Sequence, residues 1–162
     1  MKIIKPVALA LIFAILLALT NVGTREVIAT NRIQHTQKLL RQMADGGEFI
    51  RIAGGYEIRR AGELQGYIRK VVTNDGYNGD IELLVAVDLE SSILNVRVTH
   101  HRETPGLGDK IDHRISHWVE TFNGHTYESN FELAPEGDFD AITGATITSR
   151  AVVRATKKGF ER

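Results

Sequence analysis

The chain has 162 residues, and its 20 lysines and arginines balance its 20 aspartates and glutamates, so the formal net charge is zero. A neutral chain lacks the basic surplus that is typical of nucleic-acid-binding proteins. Because there is no cysteine, disulfides, thiolate-bound zinc, iron–sulfur clusters and haem attached through cysteine are all excluded. Any redox chemistry would therefore require an organic cofactor.

A run of 17 uncharged residues near the N-terminus, residues 6–22 (PVALALIFAILLALTNV), predicts a membrane span. Crossing the hydrocarbon core takes about 17–25 apolar residues. The alternative is a cleaved signal peptide, but residues 18–20 (ALT) match a cleavage site poorly. We expect residues 1–23 to form a cytoplasmic tail and a retained transmembrane anchor. Lys2 and Lys5 precede the span, so the positive-inside rule predicts export of the rest of the chain.

The segment after the anchor, residues 24–47, is polar overall and predicts a stalk helix that ends at the sequence DGG of residues 45–47. Residues 48–162 are expected to form the main domain. Glycines separate the short pieces YEIRR and YIRKVV, which predict a β-hairpin. A turn-rich loop at residues 74–79 then precedes a nearly continuous apolar strand, IELLVAVD.

The next strand alternates, with Leu94, Val96 and Val98 expected on one face. Residues 111–122 predict an amphipathic α-helix with an apolar stripe formed by Ile111, Ile115, Trp118, Val119 and Phe122. A last helix is predicted from about residue 148 to residue 158. Strands and helices mix without strict βαβ alternation. The predicted fold class is therefore α+β, an N-terminal transmembrane helix followed by a small domain of mixed strands and helices.

Two segments contain more glycine, proline or hydroxyl residues than an ordinary connection between secondary-structure elements does. The first, HHRETPGLGDK at residues 100–110, lies between a strand and the predicted amphipathic helix. Gly106 and Gly108 allow a ligand to approach the backbone, and Pro105 fixes one backbone angle. The alternative is a simple strand-to-helix connection in which Asp109 lies near the helix start.

The second segment, DAITGATITSRAV at residues 140–152, places four hydroxyl residues at the start of a helix. A helix N-terminus presents unpaired amides and the positive end of the helix dipole, which together favour a phosphate. The alternative is a Ser/Thr capping region. One cap accounts for one hydroxyl, and it does not account for four or for the pair Gly144 and Ala145. The pattern alone suits a noncovalent phosphate equally well.

His113 and His117 are four residues apart on the predicted helix, a spacing that can hold zinc. They fall on the face opposite the apolar stripe, where solvent is expected, and no Glu-rich partner motif accompanies them. The adjacent pair His100 and His101 would point to opposite faces of a strand. The sequence therefore predicts surface histidines and no metal site.

Three segments, HHRETPGLGDKI, DFDAITGATITSRAVV and DGYNGDIELLVAVD, together with the single N-terminal span, resemble the G subunit of the Rnf ion-translocating electron-transport complex. The C subunit of the sodium-translocating NADH:quinone reductase, a more distant relative, has the same kind of flavin domain. The resemblance runs from about Gly76 to Val153. It implies an FMN-binding domain that a single anchor holds on the periplasmic side of the bacterial inner (cytoplasmic) membrane.

In that family the threonine that closes the Gly-Ala-Thr triplet carries FMN through a phosphoester bond, and the corresponding residue here is Thr146. The resemblance also implies a separate flavin transferase that makes the bond, and other membrane subunits as partners. It places further cofactor-binding residues along the flavin ring, namely Glu103, Thr104, Leu107 and Gly108. Thr143 and Thr148 would lie near the phosphate, and Gly144 and Ala145 would leave room for the cofactor and the transferase.

The leading hypothesis is an electron-transfer subunit with covalent FMN in a membrane-bound ion-translocating electron-transport complex. In this interpretation the chain is a redox subunit of a translocase rather than an enzyme on its own, and the flavin supplies the chemistry. One alternative is a free-standing exported flavin carrier or reductase. Another is an anchored interaction module without redox function, in which the hydroxyl cluster only caps a helix.

Overall fold

The computed structural model describes residues 4–161, and the chain divides into two compact units with the boundary after Gln37. The first helix, α1 (Ile4–Met43), is continuous, so the predicted anchor and stalk are not separated by a break. By its length and its composition alone, this helix could cross a membrane. Of the two lysines that predict its orientation, Lys2 lies outside the described residues.

The second unit is built on one antiparallel sheet in which the strands follow each other in chain order. The predicted hairpin is present, and the strand IELLVAVD is the fourth of the sheet. The loop predicted at residues 74–79 is shorter than expected, because the third strand continues to Gly76. The strands are β1 (Glu48–Ile52), β2 (Gly55–Arg60), β3 (Glu63–Gly76), β4 (Gly79–Asp88) and β5 (Ile93–His100).

The sheet is buried on both faces, which explains why β4 reads as a continuous apolar run rather than an alternating one. On one face, Ile81, Leu83 and Val85 pack in a cluster with Val152 of the last helix, α2 (Thr146–Lys157). The opposite face is covered by the last turn and a half of α1, which belongs to the second unit. The buried residues there include Leu39, Leu40, Met43, Ile58, Ile68 and Leu84.

The alternation predicted for β5 is wrong at Leu94, which is 42% exposed, whereas its neighbour Ile93 is buried. The register between β4 and β5 shifts between Ala86, which pairs with Asn95, and Val87, which pairs with Ile93. Such a bulge leaves one residue unpaired, so the side chains before it change faces. Beyond the bulge the alternation is correct, and both Val96 and Val98 are buried.

Residues 111–122 do not form the predicted α-helix. The structure has two short 3-10 helices, Gly108–Ile111 and Trp118–Phe122, joined by turns. The apolar residues at the two ends of the predicted stripe are buried, but Ile115 in its middle is 53% exposed. The apolar spacing therefore reflects two separate contacts with the core and not one continuous helical face.

Local side-chain hydrogen bonds explain why this segment is not helical. The Arg114 amide donates to Asp112 Oδ1 at 2.9 Å, and the Ser116 hydroxyl donates to the Lys110 carbonyl at 2.7 Å and accepts from the Trp118 amide at 3.1 Å. Such bonds offer the backbone an alternative to the helical pattern.

Burial alone would raise the pKa of Asp112, but the hydrogen bonds and the positive charge of Arg114 outweigh the effect of burial and lower that pKa. The turn is thus held by an ion pair.

Candidate functional site

A cavity of about 540 Å³ lies between the loop of residues 103–108 and the N-terminus of α2. It brings together eight of the nine cofactor-binding residues predicted from the sequence, and only Thr143 does not line it. The loop contributes Glu103, Thr104, Leu107 and Gly108, and the start of the helix contributes Gly144, Ala145, Thr146 and Thr148. Two segments about 40 residues apart in the sequence therefore form one site.

Glu103 connects the three elements that surround the cavity. The residue is only 4% exposed. One carboxylate oxygen accepts a hydrogen bond from the Asn78 amide at 3.0 Å, and the other accepts a hydrogen bond from the Thr148 hydroxyl. Because Asn78 lies in the β3–β4 turn and Thr148 lies in α2, Glu103 fixes the loop against both.

Two glycines allow the loop and the helix start to approach each other. A Cβ atom at Gly108 would lie 2.9 Å from the Cβ of Glu103 and 3.1 Å from the hydroxyl oxygen of Thr148. Gly144 has a φ of +81°, and a Cβ there would lie 3.1 Å from a methyl group of Leu107. Any side chain at Gly108 would therefore push the loop away from α2, and a side chain at Gly144 would strain the backbone.

The N-terminus of α2 is not capped by a side chain. The N-cap residue is Ala145, which makes no side-chain hydrogen bond to the helix, and the first turn contains no acidic residue. The first amides of a helix have no intrahelical partners, and here no side chain of the N-cap residue satisfies them. The hydroxyl residues of the cluster therefore do not cap α2 from the N-cap position.

The four hydroxyl residues of the cluster separate into two pairs. Thr148 and Ser149 are buried, and both hydroxyls are engaged: Thr148 donates to Glu103, while Ser149 accepts from the Ile142 amide and donates to the Ala145 carbonyl, both at 2.9 Å. Thr143 and Thr146 are exposed, and within residues 4–161 neither hydroxyl makes a hydrogen bond. Of these two, only Thr146 lines the cavity.

Sequence reasoning did not select Tyr77 and Ile147, which also line the cavity. Together with Leu107, these two residues place exposed apolar surface around the cavity, and Tyr77 is 65% exposed. A large aromatic side chain inside the turn sequence Asn-Asp-Gly-Tyr-Asn-Gly was the available signal. Apolar walls with a few polar groups are typical of small-molecule sites.

Comparison with protein families gives a match between the FMN-binding domain family and residues 76–161 of this chain. This chain belongs to the FMN-binding domain family. The matched region includes every residue that lines the cavity. FMN is therefore the cofactor of this domain, and the residues present fit it: the uncapped helix start suits its phosphate, and the apolar rim suits its ring.

Several relatives of this FMN-binding chain are named as the G subunit of an ion-translocating oxidoreductase complex. The protein from Photorhabdus laumondii is 53% identical over 89 residues, which cover 52% of this chain and 43% of the relative. The one from Aliivibrio fischeri is 48% identical over 102 residues, which cover 60% of this chain and 49% of the relative. The protein from Haemophilus influenzae is 43% identical over 115 residues, which cover 68% of this chain and 56% of the relative. The chain spans about half the length of these curated relatives.

Among solved structures, the crystal structure of Shewanella oneidensis NqrC is similar, with a TM-score of 0.55 and 28% sequence identity. The similarity covers 65% of this chain and 54% of that protein. These findings confirm the predicted family resemblance and the α+β FMN-binding fold.

Proposed function

We propose that this chain is an electron-transfer subunit that carries FMN on Thr146 within a membrane-bound ion-translocating electron-transport complex. One observation carries the assignment to Thr146: it is the only exposed hydroxyl of the cluster that lines the cavity, and it is the first residue of the uncapped helix α2. The shared name of the relatives, which describes a complex subunit, supports the assembly into a complex.

The bound FMN supplies the electron transfer, and the protein supplies its position. The free amides at the start of α2 and the dipole of that helix bind the phosphate next to Thr146. Leu107 and Tyr77 provide apolar contacts for the ring, and Glu103 keeps the loop in place. The cofactor is thus anchored at its phosphate end, while the ring stays near the surface, where electron donors and acceptors can approach.

A separate flavin transferase makes the phosphoester bond from FAD in this proposal. The bond forms between Thr146 Oγ1 and the phosphorus of the FMN moiety, AMP leaves, and a base of the transferase takes the hydroxyl proton. A threonine hydroxyl is a weak nucleophile without a base. No side chain among the described residues hydrogen-bonds to the Thr146 hydroxyl, so within residues 4–161 no base is positioned at that atom.

Coexpression of the full chain with the transferase tests the attachment site. Thr146→Ala should abolish the flavin fluorescence that survives on a denaturing gel, and Thr146→Ser should retain some, because serine keeps the nucleophilic oxygen. Thr143→Ala is the matched control, since it removes the other exposed hydroxyl. Peptide mass mapping should find the mass of one FMN less water on Thr146. A modified Thr143 or Thr148, or an unmodified wild-type peptide beside active transferase, would refute the assignment.

We also propose that α1 is a retained anchor in the inner membrane and that the domain lies on the periplasmic side. The length and composition of α1 support the anchor. Sequencing of the mature N-terminus tests retention, and a processed end near Gly23 would contradict it. A C-terminal reporter that is active only in the cytoplasm tests the orientation, and a positive signal would contradict export.

Purification of the full chain from membranes separates the proposal from a free-standing flavin carrier. The complex subunit should be isolated together with further membrane subunits in mild detergent. A chain that carries covalent flavin but is isolated alone would favour the free-standing carrier. A chain without covalent flavin in any preparation would favour an interaction module without redox function.

A further inference from the structure

Two histidines and a glutamate meet on the surface of the second unit, in the segment where the predicted α-helix is absent. His113 lies in the turn after the first 3-10 helix. His117 is the N-cap residue of the second 3-10 helix, and Glu120 lies inside that helix. One ligand atom from each residue lies within 4.8 Å of the ligand atoms of the other two. None of these three residues lines the cavity assigned to FMN.

The distances within this cluster match those between ligands of one metal ion. Glu120 Oε1 lies 3.3 Å from His113 Nδ1 and 3.1 Å from His117 Nδ1. Zinc binds imidazole nitrogen at about 2.0–2.1 Å and carboxylate oxygen at about 2.0–2.2 Å in tetrahedral geometry, so adjacent ligand atoms are about 3.3–3.5 Å apart. Two of the three ligand–ligand distances are therefore already close to those of a tetrahedral site.

Hydrogen bonding accounts for only part of the cluster. His117 Nδ1 and Glu120 Oε1 have the geometry of a hydrogen bond. His113 Nδ1 is enclosed, and within residues 4–161 it has no hydrogen-bond partner, although the same carboxylate oxygen is near. An enclosed polar atom without a hydrogen bond is uncommon in proteins and often marks a bound ion or water. A metal ion between the three residues would satisfy it.

The cluster is also accessible to an ion from solvent. The His117 side chain is 82% exposed and the Glu120 side chain is 40% exposed. The two imidazole rings stand edge to face, with centroids 5.7 Å apart, rather than stacked. An ion could therefore enter from the solvent side and keep water as its fourth ligand.

We propose that His113, His117 and Glu120 bind one divalent transition-metal ion, of which Zn²⁺ is one that uses this ligand set. Two neutral imidazole nitrogens and one carboxylate oxygen are a ligand set that zinc uses, and alkaline-earth ions prefer oxygen ligands throughout. The carboxylate supplies a negative charge, and the bound ion would link the two histidines and the glutamate to one another.

The ion would add a cross-link to a segment that consists of turns and short 3-10 helices. It would join the turn at His113 to the second 3-10 helix at Glu120. Trp118, between them, donates a hydrogen bond from its indole nitrogen to the Asp140 carbonyl at 2.8 Å. Asp140 begins the segment that leads into α2 and Thr146. The ion therefore supports, from outside the cavity, the backbone that presents the attachment site.

Zinc binding by the full chain in detergent, without a polyhistidine tag, tests the proposal. After treatment with a chelator and its removal, equilibrium dialysis should find one Zn²⁺ per chain. His117→Asn and Glu120→Gln should each weaken binding by at least about 100-fold, since even the loss of an outer-shell partner costs about 10–100-fold. His35→Asn, which removes a histidine in the other unit, is the matched control and should leave the affinity unchanged.

Three further measurements distinguish loss of the metal ligands from loss of the fold. Near-ultraviolet circular dichroism of Trp118 checks that each variant is folded, and Co²⁺ in place of Zn²⁺ should give the intense visible bands of a tetrahedral site. Zn²⁺ should also raise the melting temperature of the wild type and of His35→Asn, but not that of the two ligand variants, because an ion bound only to the native state stabilises it. Equal binding by all folded variants, or no binding by the folded wild type, would overturn the proposal.

Discussion

Replacement of Thr148 by valine tests the hydrogen bond that joins the two halves of the flavin site. Valine has nearly the same shape as threonine and lacks only the hydroxyl. Thr148 is 2% exposed, and among the described residues its hydroxyl and the Asn78 amide are the two hydrogen-bond donors to the buried carboxylate of Glu103. The substitution leaves one carboxylate oxygen buried without this donor. We expect this variant to unfold more easily.

The expected loss of unfolding free energy is about 1–3 kcal/mol, which is the cost of leaving a buried polar group unsatisfied. With a urea dependence of about 2 kcal/mol per molar, the midpoint should fall by about 0.5–1.5 M. The fluorescence of Trp118, the only tryptophan in the chain, reports the unfolding of the second unit in detergent. Measurements on flavin-free protein avoid a contribution from the cofactor.

Thr143→Val is the control for this experiment, since it makes the same chemical change five residues earlier at an exposed hydroxyl without a hydrogen bond in the described residues. Its free energy of unfolding should stay within about 0.5 kcal/mol of the wild type. Thr148→Val should still accept covalent FMN, because Thr146 is intact. Equal stability of Thr148→Val and Thr143→Val would refute the role of the Glu103–Thr148 hydrogen bond.

Three other substitutions in the cavity have distinct expected outcomes. Gly108→Ala should lower the free energy of unfolding by about 1–3 kcal/mol, because the new methyl group would crowd Glu103, and urea titration measures this. Leu107→Ala should retain covalent FMN but shift its midpoint potential in a spectroelectrochemical titration; an unchanged potential would show that the loop does not contact the ring. Tyr77→Leu should leave stability within about 0.5 kcal/mol and raise flavin fluorescence, because an aromatic ring near flavin quenches it; unchanged fluorescence would contradict that contact.

The sequence predicts those parts of the fold in which periodicity and burial act over a whole element. The apolar run of β4, which is buried on both faces of the sheet, and the hydrophobic side of α2 are examples, because each element packs against the core along its length. The helix predicted at residues 111–122 fails for the opposite reason. Its apolar spacing is correct for a helix, but Asp112 and Ser116 bond to nearby backbone groups and keep the segment in turns.

Similar limits apply to the site. The glycines and hydroxyls indicate where a ligand could bind, yet the bond between Glu103 and Thr148 joins residues 45 positions apart and requires the tertiary fold. The role of Tyr77 depends on the turn between β3 and β4 being adjacent to the loop of residues 103–108. The approach of Glu120 to His113 requires the turn that replaces the expected helix. In each case a contact between elements decides the geometry, and no local pattern encodes it.

The absence of a side-chain cap on α2 connects the stability of the domain with its proposed function. Alanine is a poor N-cap, and a Ser, Thr, Asp or Asn there would stabilise the helix by about 0.5–2 kcal/mol. Ala145 is buried in the core, so a small apolar residue is favoured by packing, and the nearby hydroxyl of Ser149 is used to fix the preceding loop. The result is a helix start whose amides remain available beside the exposed hydroxyl of Thr146. A capping oxygen would occupy the same amides as a phosphate and, if charged, would repel it. Packing and the proposed anchoring of FMN therefore favour the same uncapped helix start, in spite of its local cost in stability.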